Sequence, residues 1–203
     1  MSTSLAVVVL AGGEARRMGG EKARRPWGQT TLVGQALDLA RVYGREVALA
    51  VRDATTVAGI VQADLLLDAP GIEGPLAGLA SALGFARATG AQTLLTLPCD
   101  APRLPRDLAA RLQGALAPGA RVALARSDGR AHPTCALWRV GALDALPAYL
   151  ATGRRSLGGF AAAVGMTAVD WAIDGGDPFA NANTLEELQA LQPVTLGRGR
   201  ASH

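Results

Sequence analysis

The chain has 203 residues, 49% of them apolar and 18% charged, a balance that suits one α/β domain with a packed core and excludes global disorder. The net charge is +3, with only 4% aromatics and scattered arginines, which speaks against a nucleic-acid partner. Cys99 and Cys135 form no C-x-x-C or His/Cys cluster, and no stretch reads as a membrane span or signal peptide, so the expected compartment is a reducing cytoplasm.

In chain order, Leu5–Leu10 is uniformly apolar and ended by glycines, the pattern of a buried strand feeding a loop. Four glycines (Gly12, Gly13, Gly19, Gly20) remove Cβ atoms from that loop, so successive N–H groups can form a nest for anions. Between Glu14 and Arg25, five cations (Arg16, Arg17, Lys22, Arg24, Arg25) stand against two anions (Glu14, Glu21). Lys22 is the only lysine in the chain, and a compact ammonium aimed at phosphate oxygens is a task that arginine's broad fork does poorly. The alternative is an ordinary solvated surface loop. The P-loop pattern fails because Ala23 follows Lys22, and the paired glycines do not fit G-x-G-x-x-G.

Helical spacing over Thr30–Tyr43, with Gly44 as the stop, and a short apolar strand Val47–Val51 complete a βαβ unit. Arg52 and Asp53 then fall at the strand's carboxyl end, where open α/β sheets bind ligands. A weak helix over Thr55–Val61, a strand Ala63–Asp68 ending in a carboxylate, and a helix opened by Pro75 and running to Ala88 follow. Thr93–Leu97 is a fourth strand, after which Pro98 and Pro102 hold Asp100 in a rigid turn. A carboxylate so placed suits a hard cation such as Mg²⁺, which takes one or two protein carboxylates and leaves its other positions to phosphates and water. Capping the helix Arg106–Leu116 is the alternative, but Asp100 lies several residues too early for it.

Arg121–Ala125 reads as a strand and Arg126–Gly129 as a turn; the β-rich run His132–Trp138 then carries the only internal histidine, for which a hydrogen-bonded structural role is the default. Val140–Leu150 is expected to be helical, Gly153–Phe160 is a second basic, glycine-bearing stretch, and Met166–Trp171 is a last strand. Asn181 and Asn183 are the only asparagines, and two apart on an extended segment they share a side, where their amides suit a heteroaromatic edge or a phosphate. A capping box, Thr184 with Glu187, opens the helix Leu185–Leu191 and leaves the asparagines unexplained. The order predicts an α/β fold with a mostly parallel sheet and a flexible tail over 193–203.

Five separated stretches, LAGG with RMGGEK (10–22), GPLAG (74–78), PCDAP (98–102), HPTCALW (132–138) and FANANTLEEL (179–188), together resemble the molybdenum cofactor guanylyltransferase family of nucleotidyltransferases. The resemblance implies transfer of GMP from Mg-GTP to the terminal phosphate of molybdopterin, giving the guanine dinucleotide cofactor and pyrophosphate. It implies that Leu10, Ala11, Gly12, Gly13, Arg52 and Asp68 bind GTP together with Lys22 and Asp100. Lys22, Asp100 and Arg17 would be catalytic, with Asp100 as the Mg²⁺ ligand. The resemblance also implies a single three-layer α/β/α, Rossmann-like domain over residues 1–192, its N-terminal half nucleotide-binding and its C-terminal half pterin-binding, with His132, Arg155, Asn181 and Asn183 toward the pterin. The implied partners are GTP, molybdopterin and possible client molybdoenzymes or their chaperones, with no nucleic acid and no membrane, and the chain a monomer. Two positions depart from the pattern: Arg52 stands where some relatives have asparagine, and Glu21 where aspartate is frequent. The nearest alternative is the sister cytidylyltransferase, which resembles L-A-A-G where this chain has Gly12-Gly13; a sugar-1-phosphate nucleotidylyltransferase and a non-catalytic nucleotide-binding partner are more distant ones.

Overall fold

The computed structural model describes residues 4–12 and 22–191. Its strands are β1 (Leu5–Leu10), β2 (Pro26–Trp27), β3 (Thr30–Thr31), β4 (Glu46–Val51), β5 (Asp64–Leu67), β6 (Thr93–Pro98), β7 (Val122–Ser127), β8 (Arg130–Arg139) and β9 (Met166–Trp171). Seven form one sheet in the order β5-β4-β1-β6-β8-β7-β9, and β2 and β3 make a separate ribbon. Only β8 is reversed: it pairs antiparallel with β6 and β7, while the other pairings of this sheet are parallel. The sheet is thus mixed and mostly parallel, as the alternating pattern predicts.

Strand direction and order decide where a ligand can sit. From β1 the chain adds β4 and β5 on one side, then crosses back to place β6 on the other side of β1. The carboxyl ends of β1 and β6 therefore flank a topological switch point, where the flanking connections leave in opposite directions and open a crevice. Leu10-Ala11-Gly12 and Pro98-Cys99-Asp100 emerge there side by side, tied by Cys99 N–H to the Leu10 carbonyl at 3.3 Å.

Residue parity divides the core. Ala6 and Val8 of β1 face one layer with Ala48, Ala50, Leu94 and Trp138, packed under α2 (Pro75–Ala88) and α5 (Leu157–Val164). Val7 and Val9 face the other with Leu49, Leu95 and Leu97, packed under α1 (Leu32–Tyr43) and α3 (Leu108–Ala115). Period-two alternation within continuously apolar strands is what a sheet covered on both faces requires. Two further helices, α4 (Leu146–Ala151) and α6 (Leu185–Leu191), complete the order; no helix among the described residues is long and apolar enough to cross a membrane.

Several boundaries differ from the sequence reading. Thr30 and Thr31 belong to the ribbon, and Thr31 caps α1 by accepting the Gly34 N–H at 3.2 Å. Gly44 ends α1 in extended backbone and not in a left-handed turn; a Cβ there would stand 3.1 Å from Val7 Cγ2, so close approach to β1 is what calls for glycine. The segment after Asp53 is one 3₁₀ turn, Ala54–Val57, and Val140–Ala145 is 3₁₀ before α4 begins. The α3 helix starts at Leu108, and β7 runs on to Ser127, leaving a two-residue turn at Asp128-Gly129 with φ of 47° and 71°. Such an Asp-Gly turn matches strand twist and forces β8 to return antiparallel.

In the β7–β8 ladder Leu124 pairs with Ala136 but Ala125 with His132, so Pro133, Thr134 and Cys135 form a bulge. Proline cannot donate to a ladder, and the bulge accommodates it. Its consequence is to set His132 at the same rim as the carboxyl ends of the parallel strands.

Candidate active site

Three segments meet at the switch point. Lys22 opens a 3₁₀ turn, Lys22–Arg24, and its ammonium donates to Asp100 Oδ2 at 2.5 Å and to Asn183 Oδ1 at 2.8 Å. The Lys22 and Asp100 side chains are only 15% and 18% exposed, so the pair is held in a partly dehydrated crevice. Asn183 is fixed from behind: its N–H and that of Thr184 both donate to Glu187 Oε2, and Glu187 N–H donates to Thr184 Oγ1, the predicted capping box. Ala182 N–H donates to the Asp100 carbonyl at 2.8 Å, clasping the C-terminal segment to the β6 turn. Asp100 caps no helix, in agreement with the spacing argument.

A second group lies beyond β4 and β5. A Cβ on Gly12 would stand 3.5 Å from Asp68 Oδ1 and 3.8 Å from the Arg52 nitrogen, and one on Gly78 of α2 would stand 3.4 Å from Asp68 Oδ1. Two glycines thus leave open space against one carboxylate. Burial pushes the Asp68 carboxyl above its ordinary range, against the opposing pull of the Arg52 charge. Leu10 and Ala11 extend the ladder, with Ala11 N–H donating to the Ala50 carbonyl at 2.8 Å. Gly13 and Arg17 lie outside the described residues.

The histidine belongs to a separate network. Ser127 Oγ donates to Asp177 Oδ1 at 2.9 Å and lies 2.7 Å from His132 Nε2. A hydroxyl has one proton and a carboxylate only accepts, so the network assigns the Nε2 proton as donor to Ser127 and leaves the neutral ring's lone pair on Nδ1. The ring stacks on Phe179 at 4.7 Å, and burial holds its pKa below the usual histidine value. Arg155 spends its guanidinium on the carbonyls of Leu150 and Arg154 at the end of α4. Its neighbour Gly158 abuts Pro133 of the bulge, and Asn181 is exposed at the rim.

The structure therefore brings Asn183 to Lys22 and Asp100, joins Gly12, Arg52 and Asp68, and engages His132 and Arg155 with other partners. Ser127 and Asp177 escape sequence reasoning: Ser127 borders the Asp128-Gly129 turn and Asp177 stands between Gly176 and Pro178, but fifty residues separate them and only the fold brings them together. Arg24, counted with the loop's cations, is spent on the carbonyls of Thr55, Thr56 and Ala58 and clamps the loop's end. Beside Asp100, burial and that carboxylate push the Cys99 thiol up to about 12, which removes it as a nucleophile at neutral pH.

A lysine paired with a carboxylate at the switch point of a mostly parallel sheet is an arrangement suited to a nucleotidyltransferase. Residues 7–164 match the MobA-like NTP transferase domain family, and over 193 residues the chain is 42% identical to the molybdenum cofactor guanylyltransferase of Acidiphilium cryptum, covering 93% of this chain and 94% of that one. The chain belongs to the molybdenum cofactor guanylyltransferase family. In fold it is similar to the molybdopterin-guanine dinucleotide biosynthesis protein A of Archaeoglobus fulgidus, with a TM-score of 0.70, 21% identity and 91% and 95% of the two chains covered. It is also similar to a Mycobacterium tuberculosis protein crystallised in complex with manganese, with a TM-score of 0.58, 19% identity and 94% and 98% covered.

Proposed function

We propose that this chain transfers GMP from GTP to the terminal phosphate of molybdopterin, in the cytoplasm and as a monomer, and passes the product to molybdoenzymes or their chaperones. The observation that carries the reading is the Lys22–Asp100 pair at the carboxyl ends of β1 and β6. In the reaction an oxygen of the acceptor phosphate forms a new bond to the α-phosphorus of GTP. The bond from that phosphorus to the bridging oxygen breaks, and pyrophosphate leaves with the electron pair. The attacking phosphate is already largely ionised at neutral pH, so the enzyme's task is to align two anions and screen their repulsion.

The residues divide that task. The strand-end backbone from Leu10 through Gly13 receives the nucleotide, with the Ala11 N–H already held by the Ala50 carbonyl, and Lys22 and Arg17 meet its phosphates. Asp68, facing the bare Gly12, accepts from N–H or O–H donors of the nucleoside, and the guanine edge offers such donors. His132, Arg155, Asn181 and Asn183 line the pterin side, where Asn183 also touches Lys22.

Mg²⁺ fits Asp100 on the evidence of the ammonium that already sits on this carboxylate as a stand-in cation. Among the described residues no group of three or more His, Cys, Asp or Glu side chains could hold a metal, so its shell would be completed by phosphate oxygens and water, as suits Mg²⁺. When bound, it would neutralise charge building on the phosphates.

Calorimetry with GTP, CTP, ATP and UTP, with and without Mg²⁺, followed by pyrophosphate release on adding molybdopterin, tests the proposal. Selective GTP binding strengthened by Mg²⁺, with GMP incorporated, is the expected result. Preference for CTP would move the chain to the cytidylyltransferase reading, and binding without turnover would leave a non-catalytic partner.

A further inference from the structure

Lys22 has three N–H donors, and two are committed, to Asp100 Oδ2 and to Asn183 Oδ1. The seat for its ammonium is built and not incidental. Asp100 is fixed in its turn by the Ala182 N–H, and Asn183 by the Glu187 carboxylate, itself locked by Thr184. Three distant segments converge on one positive charge, in a crevice where both members of the ion pair are less than one-fifth exposed.

We infer that Lys22 is a resident cation that competes with the divalent metal for Asp100, and that nucleotide phosphates admit the metal by drawing the ammonium off the carboxylate. The inference rests on the reading of Asp100 as metal ligand. An oxygen in contact with an ammonium cannot offer the same lone pair to a metal, and two cations on one carboxylate repel strongly where water is scarce. Polyphosphate oxygens supply the alternative anionic partner that lets Lys22 leave. Asn183 sets how firmly the ammonium is held, so it is a positioning residue for Lys22. Metal and nucleotide then bind interdependently, and the chain without nucleotide holds metal weakly.

The test measures Mn²⁺ binding by the resonance signal of the free ion, on the full chain without nucleotide and again with a GTP analogue whose α,β-bridge is a methylene. Without nucleotide, Lys22→Met is expected to bind Mn²⁺ about tenfold more tightly than wild type, the scale on which one neighbouring charge shifts an ionic equilibrium. Asn183→Ala, which keeps both charged partners, is expected to tighten it by a smaller factor. Adding Asp100→Asn to Lys22→Met should remove the gain, and the analogue should enhance Mn²⁺ affinity more in wild type than in Lys22→Met. Equal Mn²⁺ affinity in wild type and Lys22→Met overturns the competition. If the analogue-dependent Mn²⁺ site is nevertheless lost in Asp100→Asn, the ligand assignment survives that failure; if it persists in Asp100→Asn, both fall.

Discussion

Gly12 faces the Asp68 carboxylate across the space of a single methyl group: a Cβ on Gly12 would lie 3.5 Å from Oδ1, an ordinary contact. Gly12→Ala should therefore fold normally while covering the carboxylate. The expected result is an unchanged melting temperature with GTP affinity lowered about tenfold, the scale on which one misplaced methyl weakens binding in a fitted pocket. Calorimetry beside a thermal melt checks it, and unaltered GTP binding would remove Asp68 from the nucleoside site.

The carboxyl of Asp68 is raised by burial, so the folded chain binds its proton more tightly than the unfolded chain does. Stability from this group is therefore gained on acidification through the raised range, and the ionised form costs stability at neutral pH. Asp68→Asn should melt higher than wild type at pH 7, with the difference shrinking as pH falls toward the ordinary carboxylate range, while GTP affinity drops. A series of melts against pH reads the crossover.

Lys22→Ala should lower the rate of pyrophosphate release by at least about 10², as expected for removing one group that screens developing charge. Lys22→Arg should not restore it, because a broad guanidinium does not fit a seat formed by one carboxylate oxygen and one amide oxygen. Steady-state kinetics with both variants decides the point; wild-type kcat in Lys22→Ala would exclude the role.

For His132 the sign is the opposite of a salt-bridged histidine. Burial, aided by Arg130, holds its pKa below the unfolded value despite the pull of Asp177, so the unfolded chain takes up the proton first. Stability is then lost as pH falls below about 6.5. Melting temperature should decline from pH 7.5 to 5.5, and His132→Gln should flatten part of that slope. Ser127→Ala should cost about 1–3 kcal/mol at neutral pH, since it strips partners from both Asp177 and His132. Chemical denaturation measures that loss.

The sequence carried the parts of the fold that depend on near neighbours. Apolar runs such as Leu5–Leu10, Pro75 at a helix start and the Thr184–Glu187 box each act within a turn or a strand, and each stands as predicted. Lys22 and Asp100 were legible as chemical oddities, one the lone lysine and the other a carboxylate between prolines. Their contact was not, because 78 residues and a strand crossover separate them. The reversal of β8 follows from a two-residue turn, but the bulge around Pro133 shows only once the partner strand is known. The duty of Arg24 was hidden for the same reason: its carbonyl partners belong to a 3₁₀ turn more than thirty residues away.

One reversed strand among six co-directional ones gathers the chemistry on a single rim. Gly12, Arg52, Asp68 and Asp100 follow strand ends there, and β8 delivers His132 by its beginning. The opposite rim holds turns that lead into strands, among them Gly90, Gly119 and Gly165 at φ of 73°, 86° and 88°. A tether or fluorophore placed on that far rim would leave the reacting edge open to solution, so the chain can be oriented on a surface by its blank side with both substrates still free to arrive.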